Sequence, residues 1–224
     1  MEREQKEFRE LTSSEEARRI IKDIKVNPKI ETLLLEHVNG CILAEDVFSS
    51  IDVPAFDRSV KDGFAVRAQD TYNATEIEPL ALVKIGSIAA GCVPDLVLGP
   101  GEAIEIATGA PIPEGADAVV MVEHTSAEAD KILVRRAVYI NENIMRTGAD
   151  IMKGERVLRR NVRIGPREIG VLASTGISKV AVKQLKVGII STGDELVQPG
   201  SQLYAGKIYD ANSYAIAASV EECG

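Results

Sequence analysis

The chain has no tryptophan, and phenylalanine and tyrosine bring its aromatic content to only 4% of 224 residues. Binders of single-stranded nucleic acid stack bases on aromatic platforms, and this composition does not furnish one. Positive charge is also in deficit: 26 Lys and Arg stand against 34 Asp and Glu, a net charge of −8. That is the wrong sign for a general phosphate-backbone binder. The three cysteines, Cys41, Cys92 and Cys223, are far apart and form no C-x-x-C, and the two histidines, His37 and His124, lie away from them. Zinc ligation and a disulfide framework are both disfavoured, and reduced thiols fit a cytoplasmic location. Two histidines also leave no Ser-His-Asp order worth defending. No stretch approaches the ~18 uninterrupted apolar residues of a membrane span. The opening MEREQKEFRE is charged and mixed in sign, unlike a secretory signal. Neither nucleic acid nor membrane is therefore expected as a partner. A small anionic ligand, or a divalent cation recruited by carboxylates, stays open.

What is present is enough to fold, with 45% hydrophobic residues. Residues 13–24, SSEEARRIIKDI, predict the clearest helix. Ser13 and Glu16 have capping-box spacing, Ala17, Ile20, Ile21 and Ile24 form one stripe, and Asn27-Pro28 stops it. ETLLLEHV and CILAEDV flank Asn39-Gly40, which predicts a tight hairpin, although ILAED leaves a helix open for one flank. From 52 to 140, short apolar runs (FAV, LALVKIG, AIEIAT, AVVMV, KILVRRAVYI) alternate with Gly and Pro, the pattern of a compact β domain. Farther on, Pro166 opens a helix over REIGVLAS, Gly176 lies past its end, and KVAV reads as a strand. From 186, KVGII reads as a buried strand, STGDEL as its exit loop and SYAIAASVEECG as a helix: the first unit of an α/β sheet. A lone strand and helix cannot bury their own faces, so the chain is expected to end inside that domain.

Three constellations can carry chemistry. Ser191, Thr192, Gly193, Asp194 and Glu195 lie at the carboxyl end of the KVGII strand, where open α/β sheets bind ligands. Asp210 and Asn212 stand at the start of the following helix, where N–H groups favour anions. Carboxylates beside an anion site fit Mg²⁺ bridging to a phosphate or oxyanion; the plain alternative is helix capping by Asn212 and a solvated Asp-Glu turn. In IATGAPIPEGADAVV, Thr108 sits on a loop stiffened by two prolines, either to place a ligand or only to join two strands. In NIMRTGADI, Arg146 and Asp150 flank Gly148, alone no more than a solvated turn. Gly200 and Gly206-Lys207 echo a phosphate loop, but the glycine spacing is one too long and Ile208 stands where Ser or Thr is needed. FDRSVKDGFA poses one more question: Asp62-Gly63 is either a turn or a carboxylate aimed into a site.

Four stretches together, DVPAFDRSVKDGFAV, IEIATGAPIPEGADAVVMVE, NIMRTGADI and STGDELVQPG with IYDAN, resemble the molybdopterin molybdenumtransferases, the MoeA and gephyrin E-domain family, from about residue 12 onward. The resemblance implies a mixed α/β, multidomain fold. A β-rich domain (52–140) would be inserted in an elongated N-terminal region (1–51 and 141–185), followed by the start of an α/β molybdopterin-binding domain (186–224) cut short. It implies Mg²⁺-dependent insertion of molybdate, or tungstate, into adenylylated molybdopterin with release of AMP. The catalyst would be a homodimer whose site lies between the β domain of one subunit and the α/β domain of the other. Asp62, Asp194 and Glu195 are the implied catalytic and metal-holding acids; Thr108, Asp150, Ser191, Thr192, Gly193, Asp210 and Asn212 are the implied substrate contacts. Lys61 departs from the family's apolar residue; it is expected to face solvent, the alternative being that it lowers the Asp62 pKa. Met145 departs too, with Arg146 next to it. The family's domain runs on past Gly224, so this chain alone is expected to be inactive. A non-catalytic scaffold and a molybdopterin adenylyltransferase are the alternatives; the intact acids oppose the first and the long β domain the second.

Overall fold

The computed structural model describes residues 12–223. The charged opening segment, the start of the expected N-terminal region and Gly224 lie outside them. In chain order come α1 (Ser14–Asp23), β1 (Lys29–Leu34), β2 (Ile42–Leu43), β3 (Val47–Phe48), β4 (Arg58–Ser59) and β5 (Gly63–Val66). Then follow β6 (Leu80–Ile88), β7 (Glu102–Ile106), β8 (Ala118–Met121), β9 (Thr125–Glu128), β10 (Lys131–Val134), β11 (Ile144–Met145) and β12 (Arg156–Leu158). The last elements are α2 (Pro166–Ser174), β13 (Lys179–Gln184), β14 (Leu196–Val197), β15 (Ile208–Tyr209) and α3 (Asn212–Cys223). The fold is mixed α/β with few helices.

Helix α1 starts as its sequence dictates. The Ser13 hydroxyl accepts from the Glu16 N–H at 3.1 Å, and Glu15 and Glu16 place negative charge at the positive helix end. Its apolar stripe stays uncovered: the helix buries no residue, and Ile21 is 66% exposed. Asn39-Gly40 does not close the expected hairpin. Residues 35–37 form one 3₁₀ turn, and Gly40, not Asn39, has a positive φ (86°), whereas a type I′ turn needs two. β1 and β2 instead flank β13 on opposite sides, β1 pairing with it along its whole length from Lys29↔Gln184 to Leu34↔Lys179. The long ladder outweighs the local turn signal. Val38, Leu43, Ile164, Leu172, Val180 and Val182 form the core of this region.

A six-stranded sheet in the order β8-β5-β7-β6-β10-β9 fills the middle of the chain, with β6 and β7 parallel and the other pairs antiparallel. Both faces are covered. Phe64 and Val66 pack with Leu82, Val120 and Ile132 on one side; Ala65 packs with Ile104, Ile106 and Val119 on the other. Burial on both faces is why FAV and AVVM are continuous apolar runs rather than alternating ones. Thr71 is fully buried beside this core, its hydroxyl donating to Ala68 O (2.8 Å) and accepting from Val138 N–H (3.0 Å).

After β13 the expectation fails in part. Residues 186–190 form no strand, and Ile190 is 87% exposed. A strand needs a neighbouring edge for its N–H and C=O groups, and no described strand offers one. The 196–209 stretch, expected as loop, contains a short parallel ladder, Leu196↔Ile208 and Val197↔Tyr209. α3 forms as expected but buries no residue among those described. No helix is long and apolar enough to cross a membrane among the described residues.

Candidate functional site

Asp62-Gly63 is not a turn. Gly63 opens β5 with no positive φ, and a Cβ there would lie 1.9 Å from Val120 O. Glycine is required because β5 and β8 approach too closely for a side chain. That close pairing also fixes Asp62, whose carbonyl accepts from Val122 N–H at 3.1 Å. Its carboxylate Oδ1 accepts from the Thr108 N–H at 2.8 Å. The Thr108 N–H, and then its side chain, hold the Asp62 carboxyl below the ordinary aspartate range. Lys61 has no part in this: its side chain is exposed and forms no ion pair with Asp62. Asp62 lines a cavity of about 410 Å³ with Phe64, Ser87, Glu105 and Ala107.

The segment 53–60 runs between two loops, one around residues 107–112 and one around residues 144–151. On one side Ser59 N–H donates to Ala110 O and Ser59 O accepts from Gly109 N–H, at 2.9 and 2.8 Å. On the other side β4 pairs with β11, and Asp150 N–H donates to Val53 O at 2.9 Å. The exposed Asp150 therefore belongs to the same part of the molecule as Asp62 and Thr108. Reading the sequence missed the residue that joins these loops. Asp57 Oδ1 accepts from the Thr147 N–H (2.7 Å) and hydroxyl (2.9 Å), and its Oδ2 pairs with Arg146. Burial raises the Asp57 pKa, but the Thr147 N–H, Arg146 and the Thr147 hydroxyl outweigh it, and the net shift is downward. The only signal was an acid and an Arg in two separate motif stretches. Arg146, read alone as part of a solvated turn, is thus an anchor.

The second group surrounds the start of α3. A cavity of about 350 Å³ is lined by Ser191, Thr192, Glu195, Asn212 and Ser213. Asp210, not Asn212, caps the helix: its Oδ1 accepts from Ser213 N–H at 3.1 Å. The Ser213 hydroxyl and N–H, with lesser help from the Ser191 hydroxyl and Asn212 N–H, lower the Asp210 pKa and outweigh the opposing effect of burial. Gly193 has φ 151°, and its missing Cβ leaves the space that the Glu195 carboxylate occupies, 2.6 Å from where it would stand. Lys207 reaches back to Asp194 O, and Ile208 N–H donates to Glu195 O at 2.8 Å, so the acidic loop is tied to β15.

The acids thus fall into two groups. Among the described residues no three His, Cys, Asp or Glu side chains come together as metal ligands. Asp62, Asp194 and Glu195 therefore do not form one centre within a single chain. Asp62 precedes a strand of the six-stranded sheet, whereas Asp194 and Glu195 follow β13 and precede the two-stranded β14–β15 ladder.

Comparison with known proteins agrees with the motifs. Residues 12–176 match the family described as the MoeA N-terminal region (domain I and II). Molybdopterin molybdenumtransferase 2 of Mycobacterium tuberculosis (strain CDC 1551 / Oshkosh) is 36% identical over 215 residues, covering 96% of this chain and 53% of that protein. Molybdopterin molybdenumtransferase of Bacillus subtilis (strain 168) is 40% identical over 215 residues, 94% of this chain and 50% of that protein. The crystal structure of the molybdopterin biosynthesis MoeA protein from Pyrococcus horikoshii superposes with a TM-score of 0.83 at 41% identity, over 96% of this chain and 55% of that one. The chain spans about half the length of the relatives it matches. On its motifs, its fold and the match over residues 12–176, the chain belongs to the molybdopterin molybdenumtransferase (MoeA) family.

Proposed function

We propose that this chain serves molybdenum cofactor biosynthesis by providing two walls of a site that inserts molybdate, or tungstate, into adenylylated molybdopterin with release of AMP. One observation carries the reading. Asp62 is held ionised by N–H and hydroxyl donors, with no cationic side chain paired to it among the described residues, at the edge of a cavity. An uncompensated carboxylate is a poor neighbour for an anionic nucleotide and oxyanion unless a hard cation stands between them. Such oxygen-only donors fit Mg²⁺; Asp62 would hold it from one wall, and Asp194 and Glu195 from the other. When bound, the cation would polarise the scissile phosphate linkage and screen its charge. Asp62 contributes fixed negative charge at a defined place, and Thr108 keeps it there. Asp150 would line the pterin side. Ser191 and Thr192 would offer hydroxyls to a phosphate and Gly193 a close backbone approach, while Asp210, which caps α3, and Asn212 would line the same wall.

In this reading residues 52–140 are the inserted β domain, 1–51 with 141–185 the elongated N-terminal region, and 186–224 the first part of the pterin-binding domain. The two groups of acids would meet across a cytoplasmic homodimer. The unburied apolar stripe of α1 and the exposed Ile30 and Leu34 of β1 support such pairing. A scaffold reading would give Asp62 no reason to be fixed yet unpaired.

The test is molybdate-dependent AMP release. The chain is incubated with adenylylated molybdopterin, molybdate and Mg²⁺, alone and together with the second half of a curated relative. AMP release in the combined preparation, lost in Asp62→Asn and in Glu195→Gln, is expected. No release in both, or release indifferent to both substitutions, overturns the reading.

A further inference from the structure

The wall that carries Asp62 consists of three loops with little regular structure to hold them. β4 and β11 pair over two residues only, Ile144↔Ser59 and Met145↔Arg58, and a ladder so short is marginal by itself. Beyond Met145 the chain turns at Gly148 (φ 72°) and reaches Asp150 within a few residues. Main-chain bonds from Gly148 N–H to Pro54 O and from Asp150 N–H to Val53 O, both 2.9 Å, tie the far end of this loop to residues 53–54. Its near end, at 146–147, needs a tie of its own if Asp150 is to hold a constant position against Asp62 and Thr108.

Asp57 has the connections required. Both carboxylate oxygens are engaged by the 146–147 pair, as described above. Its main-chain carbonyl accepts from Ile112 N–H at 2.9 Å, which binds the loop carrying Thr108. Side chain and backbone of one residue thus reach both neighbouring loops, while Asp57 itself lines neither cavity. Arg146 extends the link: its other guanidinium nitrogen donates to Asn141 Oδ1, at a residue with φ 69° where the chain enters the loop. Bonds to an ionised acceptor are the strong ones, and a bidentate arrangement also sets orientation.

We infer that Asp57 is a positioning residue that locks the Asp150 loop to the Asp62–Thr108 side of the site through Thr147 and Arg146. It contacts no substrate and acts through the loops it joins. The functional half of this inference rests on the proposed reading of Asp62 and Asp150 as substrate-facing; the positional half does not.

The experiment has two arms. In the first, ¹⁵N NMR on this chain follows amide exchange in wild type, Asp57→Asn and Thr147→Val. Asp57→Asn keeps an acceptor oxygen but loses the charge. It is expected to speed exchange at Thr147, Gly148 and Asp150 by about tenfold or more, the factor that loss of one charge-assisted bond gives, with β5 and β8 amides unchanged. Thr147→Val removes one of the three bonds and is expected to give a smaller acceleration at the same amides. It decides the question if Asp57→Asn does not fold. The wild-type Thr147 amide resonance should also titrate with acid, and this titration should vanish in Asp57→Asn. In the second arm, the AMP-release reaction in its active preparation is run with Asp57→Asn. KM for adenylylated molybdopterin is expected to rise about tenfold while kcat stays within about twofold, because binding geometry and not chemistry is lost. Unchanged exchange at residues 147–150 overturns the lock, and a fall in kcat with unchanged KM overturns the positioning role. If wild type releases no AMP in any preparation, the proposed function fails and the first arm alone decides the lock.

Discussion

Replacing Gly63 by alanine asks whether the approach of β5 to β8 fixes Asp62. The new Cβ would lie 1.9 Å from Val120 O, 2.9 Å from Val120 C and 3.0 Å from Met121 Cα. These are backbone atoms of the strand paired with Gly63, so no side chain can rotate away. Carbon–oxygen contacts settle near ~3.3 Å, and the two strands must separate by more than an ångström at this end. Overpacking of this kind costs about 1–3 kcal/mol, and each ladder hydrogen bond lost adds about 1 kcal/mol. The stiffer unfolded chain returns about 0.4–1 kcal/mol. The net expectation is destabilisation by about 2–3 kcal/mol, or roughly 4–12 °C in Tm for a chain of this size. Urea unfolding followed by circular dichroism should show a lower midpoint at constant slope. Hydrogen exchange should quicken at β5 and β8. Gly109→Ala is the control: Gly109 has φ 82° with no heavy atom within 4 Å of its added Cβ. It should cost only the left-handed penalty, about 1–2 kcal/mol, without touching β5–β8 exchange. A Gly63→Ala chain as stable as wild type, or more stable, would refute the close-approach argument and with it the account of how Asp62 is placed.

Thr71→Val leaves the Val138 N–H without its buried acceptor and should cost about 1–3 kcal/mol in thermal unfolding, with Thr71→Ser restoring most of it. Leu172→Ala removes a fully buried side chain of the core under α2 and should lower stability by about 2–5 kcal/mol in urea titration. Acid should destabilise in a defined window. Asp46, Asp57, Asp62 and Asp210 all have folded pKa values below the ordinary one. Their contribution is therefore complete above about pH 4, near the unfolded aspartate value, and is lost as pH falls through the lower folded values. Asp46, held down first by the Arg160 N–H and then by Arg156, gives the check: Asp46→Asn should flatten the stability–pH profile below about pH 4 and leave its slope at neutral pH unchanged.

Legibility in the sequence followed how local each cause is. The capping Ser13, the α1 stripe, Pro166 at the start of α2 and Gly176 (φ 76°) after it act within a few residues and were all readable. So were five strands of the six-stranded sheet, which carry apolar runs, whereas β9 (Thr125–Glu128), with none, was not. The hairpin at Asn39-Gly40 misled because the decisive partner, β13, lies far along the chain, and a long ladder outweighs a local turn. Residues 186–190 misled for the opposite reason: apolar character gives a segment the capacity to be a strand, but only a neighbouring edge makes it one. In the site, Asp62 and Thr108 were legible through their motifs, and Asp57 was not. Its partners Arg146 and Thr147 lie 89 and 90 positions away, with no periodicity or spacing to connect them. The reason for Gly63 was equally hidden, since it resides in Val120.

The lowered carboxylates divide by what lowers them, and the division follows their proposed roles. Asp46 and Asp57 are each bonded to an arginine, so their charge is cancelled where it stands. Both tie distant segments together, and neither has charge left to offer a ligand. Asp62 and Asp210 are lowered by N–H and hydroxyl donors alone. Dipolar donors stabilise the ionised form without neutralising it, so a full negative charge persists at each position over the whole neutral range. In a chain of net charge −8, two such charges facing an anionic substrate would repel it. The arrangement favours binding only if a cation joins the complex, and the cation's absence should weaken substrate binding more than it weakens the fold. Removing Mg²⁺ with a chelator should therefore abolish binding of adenylylated molybdopterin, measured by calorimetry, while Tm moves little. Equal binding with and without the metal would mean that the unpaired charge of Asp62 serves some other purpose.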